Sequence, residues 1–143
     1  MQVAPPAACA ARGPWPSAGA SDVVTEYLFV YGTLRPGEVR WQHLEPFVVG
    51  EGIDTSVAGE VYDTGLGYPA ARFGGEAHIK GRVYRLTRLD DALAHLDMVE
   101  GAVRGLYERV EVTTTSGHVA WAYECGDPAL LVRRLPTGDW ADR

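Results

Sequence analysis

At 143 residues the chain is the length of one domain, long enough to bury a proper core. With 46% hydrophobic and 22% charged residues it reads as an ordinary soluble protein, and no apolar run approaches the roughly 20 residues of a membrane-spanning helix. A formal net charge of −6, with the basic residues scattered and Lys80 the only lysine, argues against a surface for nucleic acid or an anionic membrane.

The first residues, MQVAPPAACAARGPWPSAGAS, lack both a basic segment and a continuous apolar segment, so they do not read as a signal peptide. Residues 1–22 are rich in Ala, Pro and Gly without helical or strand period, and read as a flexible leader before a single domain at 23–143. The two cysteines, Cys9 in the leader and Cys125, belong to no paired motif. A disulfide is therefore not expected, and a reducing, cytoplasmic setting is.

Ordered structure is expected from Glu26. The continuous apolar run Tyr27 to Tyr31, bounded by Gly32, predicts a central buried strand. Arg35-Pro36-Gly37 breaks the chain, and Val39 to Leu44 reads as a short helix before Pro46. Strands are expected over Phe47 to Ile53, Val57 to Asp63 and Gly81 to Leu86, separated by turns at Gly65, Gly67, Gly74 and Gly75. Thr87 to Asp90 has the form of a capping box and Gly101 supplies a stop, so a helix lies between them. Leu106 to Thr115 and His118 to Cys125 read as strands joined at Ser116-Gly117, the second with Val119, Trp121 and Tyr123 on one face and Ala120 and Ala122 on the other. This order predicts an α+β fold: a small mixed β-barrel or curled sheet with flanking helices.

One residue of the helix stands out. At 100° per residue, Leu89, Leu93 and Leu96 form a buried stripe, and the same spacing continues onto Glu100, with Asp97 at the edge. A carboxylate in an apolar stripe is costly unless paired or neutral. Desolvation and the negative end of the helix dipole both favour the neutral form, which suits proton transfer near pH 7. Spacing alone leaves a second reading open, in which the helix ends at Met98 and Glu100 faces solvent or pairs with Arg104 or Arg109.

The loop Tyr31-Gly32-Thr33-Leu34-Arg35-Pro36-Gly37 follows the first strand and suits an anion-binding array of backbone N–H groups. It has neither a Gly-Lys-Ser/Thr nor a G-x-G-x-x-G pattern, so it is not a nucleotide loop. His43, His78, His95 and His118 show no metal-ligand spacing and read as surface or packing residues. No G-x-S-x-G elbow is present, and Cys125 reads as a small core residue.

These pieces together resemble the γ-glutamylcyclotransferase family, in particular its AIG2-like and γ-glutamylamine cyclotransferase branch. The resemblance rests on Leu28 to Gly37, Gly59-Glu60-Val61-Tyr62, Gly67-Tyr68-Pro69-Ala70 and Gly81-Arg82-Val83-Tyr84. It continues in Leu96-Asp97-Met98-Val99-Glu100-Gly101, Leu106-Tyr107-Glu108-Arg109 and Gly138-Asp139-Trp140, in family order across nearly the whole domain. Thr33 stands where many members carry Ser.

The resemblance implies a cyclotransferase in which a γ-glutamyl substrate's α-amine attacks its own γ-carbonyl, releasing 5-oxoproline and an amine or amino acid. It implies Glu100 as the acid–base residue and the loop from Tyr31 through Gly32, Thr33 and Leu34 as the substrate-binding wall. Tyr107 either hydrogen-bonds the substrate or packs in the core, and Arg109 balances the local negative charge of Glu108 and Glu111. The reaction calls for no metal or other cofactor, and its partner is a small molecule. The alternative is a non-catalytic small-molecule-binding domain of the same fold. Which γ-glutamyl compound is used, and the oligomeric state, are left open by the sequence.

Overall fold

The computed structural model describes residues 25–32, 38, 40–99 and 107–142. The leader at 1–22 and the expected site residues Thr33, Leu34 and Glu100 lie outside the described residues.

Strand β1 (Tyr27–Val30) is central, which explains its unbroken apolar sequence: Leu28, Phe29 and Val30 are each almost completely buried. It pairs antiparallel with β3 (Pro69–Leu86), Tyr27 opposite Arg85 through Val30 opposite Arg82. On its other side it pairs parallel with β5 (Val119–Cys125). With β2 (Val48–Asp63), β4 (Tyr107–Thr113) and β6 (Arg133–Arg134), the sheet order is β4-β5-β1-β3-β2-β6. The mixed, curled sheet with short helices against it agrees with the expected fold class.

The β2–β3 ribbon differs from the expected pattern. Phe47 to Ile53 and Val57 to Asp63 fuse into one strand of 16 residues, and Gly81 to Leu86 is the end of a strand of 18. Gly74-Gly75 does make a turn, but inside the ladder: Ala58 pairs with His78 and Gly59 with Phe73, so residues 74–77 bulge out between continuous pairings. A second irregularity separates Val49 from Ile53. Such bulges bend and twist a ribbon. The bend carries β2 round to the β4–β5 hairpin, where the Thr115 N–H donates to the Ser56 carbonyl at 2.8 Å although three strands separate β2 from β4 in the sheet order.

The two faces of the sheet bury separate clusters. One holds Phe29, Val57, Ile79, Ala120 and Ala122 around Trp140, which is 1% exposed. The Gly138-Asp139-Trp140 segment is thus a structural plug. Gly138 has φ 72°, and a Cβ there would stand 2.0 Å from the His78 carbonyl oxygen, so only glycine lets this segment lie on β3. Its carbonyl accepts from the Lys80 N–H at 2.7 Å.

The other face, with Leu28, Val30, Tyr84 and Tyr123, is covered by α1 (Trp41–Leu44) and α2 (Leu89–Val99). Helix α1 is shorter than the expected Val39 to Leu44 and continues as a 3-10 turn over Glu45–Phe47, whose Pro46 is accepted in a first turn. Helix α2 buries Ala92, Leu93 and Leu96, the expected stripe. Its entry corrects the capping-box expectation: Arg88 lies at φ 49°, which cannot be a first helical residue after a Thr87 cap, so the helix starts at Leu89. The hairpin strands end at Thr113 and resume at Val119, a longer connection than Ser116-Gly117 alone, and their register sets Arg109 opposite Tyr123. The alternation of β5 is as expected, with Tyr123 and Trp121 on the helical face and Ala120 and Ala122 on the other.

Candidate active site

Three of the sequence motifs meet at the end of β1. Gly32 is buried, and a Cβ on it would stand 2.3 Å from Pro69 Cγ and 2.9 Å from Pro69 Cδ. The glycine of the loop is therefore required by the proline of Gly67-Tyr68-Pro69-Ala70, and each motif accounts for the other. The turn before Pro69 is tied by Thr64, whose Oγ1 donates to the Tyr68 carbonyl at 2.8 Å. Tyr107, at the start of β4, donates its hydroxyl to the Pro69 carbonyl, and its ring centroid lies 6.2 Å from that of Tyr68. The Arg40 guanidinium stands 5.7 Å over the Tyr68 ring.

A second set of contacts pins the C-terminal part of α2 to the sheet. Asp97 receives Arg109 Nε at 2.9 Å and Nη2 at 3.3 Å, a two-armed ion pair with each side chain 26% exposed. Asp97 Oδ1 also accepts the Tyr123 hydroxyl at 2.8 Å. Since Arg109 and Tyr123 are cross-strand partners, one carboxylate binds neighbouring side chains of both β4 and β5. The Arg109 guanidinium lies 4.6 Å over the Trp121 ring, so its apolar face is covered as well. This half-buried pair costs desolvation, which the three hydrogen bonds and the ring contact offset.

The expected residues fall as follows. Tyr31 is buried and donates its hydroxyl to the Tyr123 carbonyl at 2.5 Å, so its side chain ties β1 to β5. Gly32 and Tyr107 are brought together through Pro69. Tyr107 is 5% exposed, and its hydroxyl is engaged by the Pro69 carbonyl. Val99, the last residue of α2, immediately precedes Glu100 in the sequence. Cys125 lies opposite Tyr107 in the hairpin register and donates its thiol to the Asp127 carbonyl at 2.9 Å.

Sequence reasoning missed Asp97 as an anchor and paired Arg109 with Glu108 and Glu111 instead. The signal available was the position of Asp97 at the edge of the apolar stripe. A separate open groove of about 540 Å³, lined by Trp41, Glu45, Arg82 and Tyr84 among others, shares none of the residues at this junction. Among the described residues no group of three or more His, Cys, Asp or Glu is placed to hold a metal ion, and no helix is long and apolar enough to cross a membrane.

Residues 28–142 match the family described as gamma-glutamyl cyclotransferase, AIG2-like. The chain is 33% identical over 121 residues to the gamma-L-glutamyl-butirosin B gamma-glutamyl cyclotransferase of Niallia circulans, covering 79% of this chain and 74% of the relative. It is 33% identical over 116 residues to a gamma-glutamylcyclotransferase-named protein of Vibrio cholerae, covering 81% of this chain and 96% of the relative. Among solved structures, an uncharacterized protein of Pyrococcus horikoshii superposes with a TM-score of 0.66 at 23% identity, covering 82% and 92% of the two chains. An AIG2-like protein of Mus musculus superposes with a TM-score of 0.65 at 16% identity, covering 80% and 87%. The two structures carry the fold and the sequence matches carry the relationship: the chain belongs to the γ-glutamyl cyclotransferase, AIG2-like family.

Proposed function

We propose that the protein is a cofactor-free cyclotransferase that releases 5-oxoproline from a small γ-glutamyl compound, with Glu100 as its acid–base residue. The observation that carries this reading is the family match over residues 28–142, which includes the Leu96 to Gly101 segment around Glu100. The interlock of Gly32, Pro69 and Tyr107 supports it, because it joins three segments of the motif set at one place.

The substrate brings its own nucleophile, so the entropic cost of a bimolecular encounter is largely absent. The α-ammonium must lose a proton, its nitrogen must bond to the γ-carbonyl carbon, and the departing amine must gain a proton. Glu100 takes the first proton and delivers it to the leaving nitrogen, one carboxyl acting first as base and then as acid. Backbone N–H groups of Gly32, Thr33 and Leu34 hold the substrate's carboxylate or its developing oxyanion. Pro36 has no N–H and lies beyond this donor set. Asp97 and Arg109 neutralise each other, so Arg109 is committed to holding α2.

One relative's name specifies γ-L-glutamyl-butirosin B, which supports including bulky γ-glutamyl conjugates among the substrates tried. The deciding experiment incubates the full chain with a panel of γ-glutamyl amines and dipeptides and follows 5-oxoproline by mass spectrometry. Release from at least one member, lost in a folded Glu100→Gln variant, supports the reading. Free glutamate as the product would establish hydrolysis instead, and binding without turnover would establish a non-catalytic binding domain.

A further inference from the structure

Outside the site, two histidines that are 52 residues apart in the sequence meet between the helices. His43 of α1 and His95 of α2 place Nδ1 and Nε2 3.2 Å apart, with ring centroids at 5.3 Å and an interplanar angle of 44°. Both rings are half-buried. The Phe47 ring packs 6.2 Å from His95, and the Arg88 guanidinium is held 4.9 Å over that Phe47 ring.

We propose that His43 and His95 form a two-imidazole site for a borderline divalent cation, with Zn²⁺ as the probe, bridging α1 and α2. Between two neutral imidazoles a single proton occupies the space between the facing nitrogens, and a metal ion can take that proton's place. Two imidazoles on one tetrahedral Zn²⁺, each at about 2.0–2.1 Å, hold their donor nitrogens about 3.3 Å apart. The observed 3.2 Å separation of the two ring nitrogens matches that spacing.

Imidazole is the ligand type that suits Zn²⁺, and either ring nitrogen serves. No third His, Cys, Asp or Glu completes the group among the described residues, so water fills the remaining positions. Asp91 stands one turn before His95 on α2 and adds negative charge near the same face. The ion would join two helices that lie next in sequence to the two segments assigned to the reaction, the loop ending at Gly37 and Glu100. The site itself does not depend on that assignment.

The test titrates ZnCl₂ into the full, chelator-treated chain at pH 7.5 by calorimetry, beside His43→Gln and His95→Gln. The expected result is one site of micromolar affinity that weakens at least tenfold in each variant. At a hundredfold excess over Kd, Zn²⁺ should raise the melting temperature of the parent by about 5–10 °C. Binding that is absent below millimolar Zn²⁺, or equally tight in both variants, overturns the proposal. If a variant fails to fold, the ring ¹⁵N resonances of the parent decide. Zn²⁺-induced shifts at His43 and His95 support the site, and shifts confined to His78 or His118 overturn it. Either result leaves the 5-oxoproline assay unaffected.

Discussion

The two faces of the sheet are built on different terms. The face around Trp140 is an apolar packing of Phe29, Val57, Ile79 and two alanines. The face under α1 and α2 also buries leucines and tyrosines, but at its margins it carries the Asp97–Arg109–Tyr123 network, the Tyr107–Pro69 bond and the histidine pair. Apolar burial is non-directional, so the first face holds the fold together by volume and area. Hydrogen bonds and ion pairs fix positions to a few tenths of an ångström, so the second face sets where α2 sits on the sheet.

Substitutions can separate these two roles. The largest expected effect is on turnover: Glu100→Gln should lower kcat for 5-oxoproline release by about 10²–10⁴ while leaving the denaturation midpoint unchanged. A midpoint shift without rate loss would move the chemistry away from this residue. Trp140→Ala should do the reverse, costing about 3–5 kcal/mol of stability in urea unfolding, with the KM of the surviving folded fraction close to that of the parent.

Gly32→Ala tests the junction between loop and sheet. Its methyl would overlap the Pro69 ring, and the expected cost is about 1–3 kcal/mol of stability together with a rate loss larger than stability explains. Asp97→Asn keeps an acceptor for Tyr123 but strands the Arg109 charge, with an expected loss of about 1–2 kcal/mol. A double-mutant cycle with Arg109→Gln should then show a coupling of about 1 kcal/mol. Additivity of the two changes would show that the pair does not anchor α2.

What was readable in advance followed local periodicity. The unbroken apolar run gave away β1, the alternation of Val119 to Tyr123 assigned both faces of β5, and the leucine stripe placed α2. Turn chemistry misled where tertiary context overrode it. Gly74-Gly75 does turn the chain, yet the ladder resumes on both sides of it, because β2 supplies partners before and after the excursion. Thr87 to Asp90 has the letters of a capping box, but Arg88 enters the helix from a left-handed conformation. Arg109 has carboxylates close to it in sequence and binds a more distant one, since β4 directs it toward α2 beside Tyr123.

The sequence by itself determined the α+β class, the central strand, the amphipathic helix and the family, because each rests on residue order and short-range spacing. Only the tertiary structure decided that Gly32 must be glycine to admit Pro69, that Asp97 joins α2 to two strands, and that His43 meets His95. Those contacts span 37, 12, 26 and 52 residues of sequence, respectively, for Gly32–Pro69, Asp97–Arg109, Asp97–Tyr123 and His43–His95. They depend on the curl of a bulged ribbon and the docking of two short helices, which no local pattern encodes.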